Sequence, residues 1–83
     1  MFRAVVRVTL RRGVLDPQGE TVKGALKTLG YGEVAEVRVG KHMELAVDGP
    51  DPGTVRSRVE EMCRRLLANP VLEDYAVEVE ELG

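Results

Sequence analysis

The chain has 83 residues, 43% of them hydrophobic and 31% charged, and 12 basic against 14 acidic side chains give a formal net charge of -2. This length predicts one small domain, residues 1–83, whose limited core favours association with a second copy or another partner. The acidic balance gives nucleic acid or an anionic membrane no general attraction, and no apolar run approaches the roughly 18 residues of a membrane helix.

The first half of the sequence predicts a strand followed by a helix. Apolar and polar side chains alternate over residues 2–10, which is the period of a half-buried strand. Asp16-Pro17 then combines an N-cap acceptor with the residue best suited to the first helical position. The helix that begins there is expected to end at Gly30, a C-terminal glycine cap. Its apolar side consists of Val22, Ala25, Leu26 and Leu29.

The second half repeats this order. A strand is predicted from Met43 to Val47, and Asp51-Pro52 marks a second helix start. The apolar stripe of this second helix consists of Val55, Val59, Met62, Cys63, Leu66 and Leu67. Asn69-Pro70 ends the helix, and alternation after it predicts a last strand with Tyr75, Val77 and Val79 turned inward. Between the halves, the segment from Val34 to Val39 is predicted to form a further strand.

The element order is therefore β-α-β-β-α-β. Two such units side by side predict an α+β fold, with a four-stranded, mostly antiparallel sheet and both helices on one face. This is the arrangement of ferredoxin-like folds.

The stretch VRVGKHMEL, Val37 to Leu45, joins the two halves. A three-residue loop of Gly40, Lys41 and His42 would place residues of like character opposite each other, and Arg38 would pair with Glu44 across the hairpin. A phosphate-binding loop is disfavoured because one glycine opens a strand here instead of a helix. Catalysis by His42 is disfavoured because it is the single histidine, no serine lies near it, and Cys63 falls on the apolar core stripe.

The remaining charged and reactive residues predict surfaces for partners and no reactive centre. Arg3 and Arg7 share one face of the first strand, and we expect them to contact a partner together with the loop residues Gly40, Lys41 and His42. The single cysteine cannot form an internal disulfide and is expected in the core. No catalytic residue and no metal ligand is predicted, and zinc is disfavoured because no second cysteine or histidine stands at ligand spacing.

Three motifs together resemble a known family. LDPQG at Leu15 to Gly19, VRVGKHMEL at Val37 to Leu45 and EMCRRLLANPVLEDY at Glu61 to Tyr75 are similar, in this order, to the small subunit of phosphoribosylformylglycinamidine synthase. The resemblance covers nearly the whole chain and concerns the bacterial and archaeal form of the enzyme, in which the subunits are separate polypeptides.

The resemblance implies a role in purine biosynthesis without catalysis by this chain. In that family a glutaminase subunit releases ammonia, and a large subunit uses ATP to convert formylglycinamide ribonucleotide to its amidine. The small subunit, usually dimeric, bridges the two. ATP, Mg and glutamine are thus expected to bind to the complex but not to this chain, and the expected location is the cytoplasm.

Two other functions are compatible with the residue pattern. Ferredoxin-like modules also serve as small-molecule-sensing or regulatory dimers, and the fold does not separate that function from a structural one. Binding of RNA by the sheet ranks last, because the chain is acidic and has few aromatic side chains to stack on bases.

Overall fold

The structure, a computed structural model, describes residues 1–82. Within them the elements are β1 (Phe2–Leu10), α1 (Pro17–Thr28), β2 (Gly40–Val47), α2 (Pro52–Met62) and β3 (Glu73–Glu81). A π-helical turn, Cys63–Leu67, continues α2 at its C-terminal end. The strands form one antiparallel sheet in the order β2-β1-β3, which confirms the predicted α+β class.

The core lies between the sheet and α2. Successive side chains of a strand point to opposite faces, so alternate residues of the central strand β1 turn towards α2. The helix presents Val55 and Val59, four residues apart on one side, to this face. The buried hydrophobic residues are Phe2, Ala4, Val6, Val8, Val55, Val59, Cys63, Ala68 and Val77. The predicted pattern of β1 is thereby confirmed.

Both aspartate-proline pairs begin helices, as predicted. The Oδ1 atom of Asp16 accepts a hydrogen bond of 2.9 Å from the Gly19 N–H, and Asp51 Oδ1 accepts one of 2.8 Å from the Thr54 N–H. Each aspartate therefore satisfies one of the amide donors that a helix leaves unpaired in its first turn. At the other end of α1, Gly30 has a φ of 101°, a conformation that glycine adopts readily.

The predicted strand from Val34 to Val39 does not join the sheet, so residues 1–82 contain three strands instead of four, and the ferredoxin-like arrangement is not confirmed. The reason lies in the register of β2. Gly40 is already paired with Thr9, one residue before β1 ends at Leu10. The chain before Gly40 thus lies beyond the β1–β2 ladder and has no opposing strand there.

The predicted loop Gly40 to His42 is wrong, because these residues are the first three of β2 and pair with β1. The odd-numbered positions from Val37 to Val47 are apolar except Lys41, so one continuous extended segment satisfies the alternation as well as a hairpin does. Position 40 requires glycine because the backbone of β2 lies close to that of β1 there, and not because the chain turns. A Cβ atom at position 40 would overlap the carbonyl oxygen of Val8 and lie 2.8 Å from Thr9 Cγ2.

This close approach gives a test with two glycines. Gly40→Ala is expected to lower the free energy of unfolding by about 1 to 3 kcal/mol, the usual cost of forcing an extra carbon into a packed site. Gly24→Ala is the matched control, because a Cβ atom there meets nothing within 4 Å and alanine favours a helix interior by about 1 kcal/mol. Urea unfolding followed by circular dichroism measures both, and an equal response of the two variants would contradict this reading of β2.

The helices do not share one face of the sheet as predicted. Whereas α2 covers the sheet, α1 is buried only at Gly19 in its first turn and leaves the body of the protein. The Cα radius of gyration is 16.2 Å, and a compact domain of this length would have about 12 Å. The dimensions of 50 × 30 × 14 Å describe a flat, extended chain. The part of the sheet face next to α2, the predicted place of the other helix, is therefore not covered by α1.

Candidate assembly surfaces

The face of the sheet opposite α2, here called the open face, carries a ladder of ion pairs. Arg3 lies 3.4 Å from Glu80 and 3.7 Å from Glu44, so it links the two outer strands across β1. Arg7 lies 3.0 Å from Glu78. These side chains are about half exposed, and exposed pairs of this kind contribute little to stability. The open face is therefore a charged, solvated surface, and Arg3 and Arg7 lie on it as predicted.

The other three predicted contact residues lie at the start of β2. His42 is on the open face, with its Nε2 atom 3.5 Å from Glu44. Lys41 points to the opposite side, where its Nζ atom lies 3.4 Å from the carbonyl oxygen of Leu67 and 3.9 Å from Glu73. Gly40 has its backbone against β1. The structure thus brings His42 together with Arg7, its register partner, and separates both from Lys41.

Arg38 and Glu44 do not form the predicted pair. The Arg38 guanidinium donates to the carbonyl oxygen of Leu10 and, at 3.1 Å, to that of Arg11, and it lies 3.7 Å from Glu36. The Glu44 carboxylate instead lies beside Arg3 and His42 on the open face. Arg38 therefore fastens the segment before β2 to the end of β1, because the hairpin that would have brought it to Glu44 is absent.

A second surface is the apolar side of α1. Val22 is 42% exposed and Leu29 is 72% exposed, although the two lie seven residues apart on one side of the helix. Val22 also borders a groove of about 450 Å³ next to Val39. The groove is lined by Pro17, Gln18, Thr21, Val22 and Val39. An apolar helix side of this kind costs free energy in water, so it favours a covering partner.

A third surface lies at the π-helical turn, where the Ala68 N–H bonds to the carbonyl oxygen of Cys63 five residues back. Sequence reasoning placed Leu66 on the core stripe, but Leu66 is 82% exposed. The wider turn changes the direction in which the following side chains point, which a regular helical period does not anticipate. Leu66 borders a pocket of about 230 Å³ with Met62, Arg58 and Arg65. Leu66 falls in the middle of the predicted stripe on a regular helical period, so nothing in the sequence signals its exposure.

The reactive side chains form no catalytic arrangement among residues 1–82. Cys63 is fully buried, and its burial raises the pKa of the thiol above the usual 9.0, so the nucleophilic thiolate is disfavoured. Within the described residues, no three histidine, cysteine, aspartate or glutamate side chains cluster closely enough to hold a metal ion. The described helices also include none long and apolar enough to cross a bilayer.

The fold favours the ionised form of both N-cap aspartates. Hydrogen bonds from the Gly19 and Val39 N–H groups hold the pKa of Asp16 below its usual 3.8, and those from the backbone and hydroxyl of Thr54 do the same for Asp51. The stability that these bonds contribute is fully present above pH 3.8. It is lost in acid, as the pH falls through the lower pKa of the folded state.

Comparison with known proteins identifies the family. The family model for PurS, phosphoribosylformylglycinamidine (FGAM) synthase, matches residues 3–81. The chain belongs to the PurS family. It is therefore a small subunit of FGAM synthase, a ligase complex of purine biosynthesis, which confirms the family and the pathway that the resemblance implied. The match includes the open face, α1 and the π-helical turn.

Relatives agree in sequence and in fold. The PurS subunit of Bacillus subtilis is 49% identical over 82 residues, which cover 99% of this chain and 96% of that protein. The crystal structure of Methanocaldococcus jannaschii PurS, a subunit of formylglycinamide ribonucleotide amidotransferase, matches with a TM-score of 0.91 at 41% identity over the full length of both chains. A PurS-like chain in the structure of PurLQS from Thermotoga maritima matches with a TM-score of 0.87 at 33% identity, covering 95% of this chain and 96% of that one.

Proposed function

We propose that this chain is a non-catalytic bridge that holds the glutaminase subunit and the large ATP-dependent subunit of FGAM synthase in a fixed relative orientation. Glutamine-derived ammonia must pass from one site to the other without escaping into water. Its delivery depends on geometry, because a held reactant reacts at a far higher effective concentration than a free one. The observation that carries the proposal is an extended PurS-family chain whose surfaces offer contacts and whose described residues assemble no catalytic site.

The assembly in which PurS proteins occur supports this bridging role. The structure from Thermotoga maritima that matches this chain is that of PurLQS, whose similar chain is 33% identical and has the same fold. We propose that the present chain likewise assembles with a large synthetase subunit and a glutaminase subunit. ATP, Mg and glutamine then bind to those subunits and not to this one. The location of the assembly is proposed to be the cytoplasm.

The chain is also proposed to form a homodimer through α1. Its apolar side has no covering element within residues 1–82, and the radius of gyration exceeds the compact value by about one third. A second copy that placed its α1 beside the first would bury Val22 and Leu29 and restore a thicker core. Small domains gain stability readily in this way, because a dimer buries a larger fraction of the surface.

The open face and the start of β2 are the proposed contact surfaces for the other subunits. Arg3, Arg7 and His42 share the open face, where cross-strand carboxylates hold the two arginines in place. Gly40 and Lys41 lie at the adjoining edge of β2, an outer strand of the sheet. A charged surface of this kind suits a reversible, oriented contact, because complementary charges fix register and suppress wrong partners.

Reconstitution tests the bridge directly. Large and glutaminase subunits are combined with and without this chain, and turnover is measured with glutamine and, separately, with a high concentration of ammonium. Glutamine-dependent turnover is expected to require the chain, because coupling depends on the relative position of the two sites. Ammonia-dependent turnover is expected to depend on it far less. Equal glutamine-dependent rates with and without the chain would refute the bridging role.

A further inference from the structure

The first turn of α1 is held by a group of backbone and side-chain contacts that we call the root clasp, formed by Asp16, Gly19, Val37 and Val39. Asp16 is 8% exposed, and its two carboxylate oxygens serve different segments of the chain. Oδ1 accepts from the Gly19 N–H at 2.9 Å inside the helix, and Oδ2 accepts from the Val39 N–H at 2.8 Å outside it. One carboxylate thus joins α1 to the chain that enters β2.

Close packing closes the other side of the root clasp. A Cβ atom at position 19 would overlap the carbonyl oxygen of Val37 and lie 3.0 Å from Asp16 Oδ2, so glycine lets the helix backbone touch the segment before β2. Arg38, between Val37 and Val39, donates to the backbone carbonyls at the end of β1. The contacts therefore run without interruption from β1 through residues 37–39 to α1.

Asp51 offers an internal comparison, because it begins α2 with the same aspartate-proline pair. Its Oδ1 accepts from the Thr54 N–H at 2.8 Å and its Oδ2 accepts from the Thr54 hydroxyl at 3.0 Å. Among the contacts of residues 1–82, both bonds stay inside the first turn of α2. Capping a helix thus accounts for everything that Asp51 does, whereas the bond from Asp16 to Val39 goes beyond capping.

We propose that Asp16 is a positioning residue that sets the direction in which α1 leaves the sheet, and through α1 the relative orientation of the subunits in the complex. The second half of this inference rests on the proposed bridging function. The physical reason is the limited support for α1 from the rest of the described chain, because Gly19 in its first turn is its one buried residue. A helix fastened at one end pivots there unless two or more bonds hold it.

Asparagine separates the two roles of Asp16. Asn caps a helix about as well as Asp, so Asp16→Asn retains the bond to Gly19. The asparagine amide has one carbonyl oxygen and an NH2 group. The NH2 group cannot accept a hydrogen bond from the Val39 N–H, so that bond is lost. Asp51→Asn is the matched control. The Thr54 hydroxyl rotates and can accept from the amide NH2 group, so both bonds of that cap are retained.

The direction of α1 is measured by double electron–electron resonance, which gives the distances between a spin label on α1 and one on the sheet. Lys27→Cys on α1 and Ala76→Cys on the open face supply exposed attachment points, while Cys63 is buried. The labelled chains also carry Val22→Glu and Leu29→Lys, so that a second copy does not hold α1, and they are diluted with unlabelled chains so that only distances within one chain contribute. Asp16→Asn is expected to broaden the distance distribution severalfold with helix content unchanged, and Asp51→Asn to leave it as in the natural chain. A distribution equally narrow in Asp16→Asn would overturn the inference.

The reconstituted complex tests the second part of the inference, that Asp16 sets the relative orientation of the subunits. In the reconstituted enzyme, Asp16→Asn is expected to lower the ratio of glutamine-dependent to ammonia-dependent turnover severalfold, and Asp51→Asn to leave this ratio unchanged. If Asp16→Asn only destabilised the chain, fewer complexes would contain it, and an excess of the variant would restore the ratio. If α1 points in the wrong direction, an excess does not restore it. If omission of the chain leaves glutamine-dependent turnover intact, the proposed function fails, and the distance measurement still decides the role of Asp16. An unchanged ratio in Asp16→Asn, where omission does abolish turnover, would overturn its role in orientation.

Discussion

A chain that carries both Val22→Glu and Leu29→Lys is expected to be monomeric at concentrations at which the natural chain forms a dimer. Both side chains lie on the apolar side of α1 and are exposed within one chain, so the substitutions remove proposed dimer contacts without opening the core. Burying a side chain of this size contributes about 1.5 to 3 kcal/mol. The two together are expected to weaken the dimer by about 3 kcal/mol or more, which is a factor of about 100 or more in Kd.

The chosen residues keep α1 helical. Glutamate and lysine are good helix formers, and a lysine near the C-terminal end of a helix interacts favourably with its dipole. Lys27→Glu is the control, because this position lies on the opposite side of α1 and is exposed. Analytical ultracentrifugation over a range of concentrations measures the Kd, and circular dichroism checks helix content. A double variant that sediments as the natural dimer would show that α1 is not the dimer contact.

Val59→Asp is expected to unfold the chain at room temperature. Val59 lies on α2 and is fully buried in the core between this helix and the sheet. A carboxyl group placed there either loses its hydration or stays protonated, and each state costs several kcal/mol. Folded domains are stable by only about 5 to 15 kcal/mol in total, and a small one lies at the low end of that range. The substitution therefore removes most or all of the stability.

Val71→Asp provides the matched comparison, since it makes the same substitution at a valine that is 75% exposed. Exposed substitutions usually change the free energy of unfolding by less than about 0.5 kcal/mol, so Val71→Asp is expected to melt close to the natural chain. Far-ultraviolet circular dichroism and thermal melting distinguish the two variants. A folded Val59→Asp chain with a normal melting temperature would mean that α2 does not pack on the sheet as described.

Local chemistry was sufficient to predict the first strand and the starts of both helices. The alternation along β1 and the two aspartate-proline pairs predicted a strand and two helix starts, and the structure has all three. These features are decided by a residue and its neighbours within a few positions, through capping bonds and side-chain period. The ordered motifs likewise predicted the family, because they depend on residue identity along the chain and not on packing.

Register and contact across the chain were decided only by the tertiary structure. A period of two fits a hairpin and a continuous strand equally well, so the sequence did not reveal that Gly40 lies against β1 or that residues 34–39 run past its end. An apolar helix side shows that something must cover α1, but not whether the same chain does so. The place of α1 outside the body of the protein and the second bond of Asp16 follow from distances between segments far apart in sequence, and periodicity contains no information about such distances.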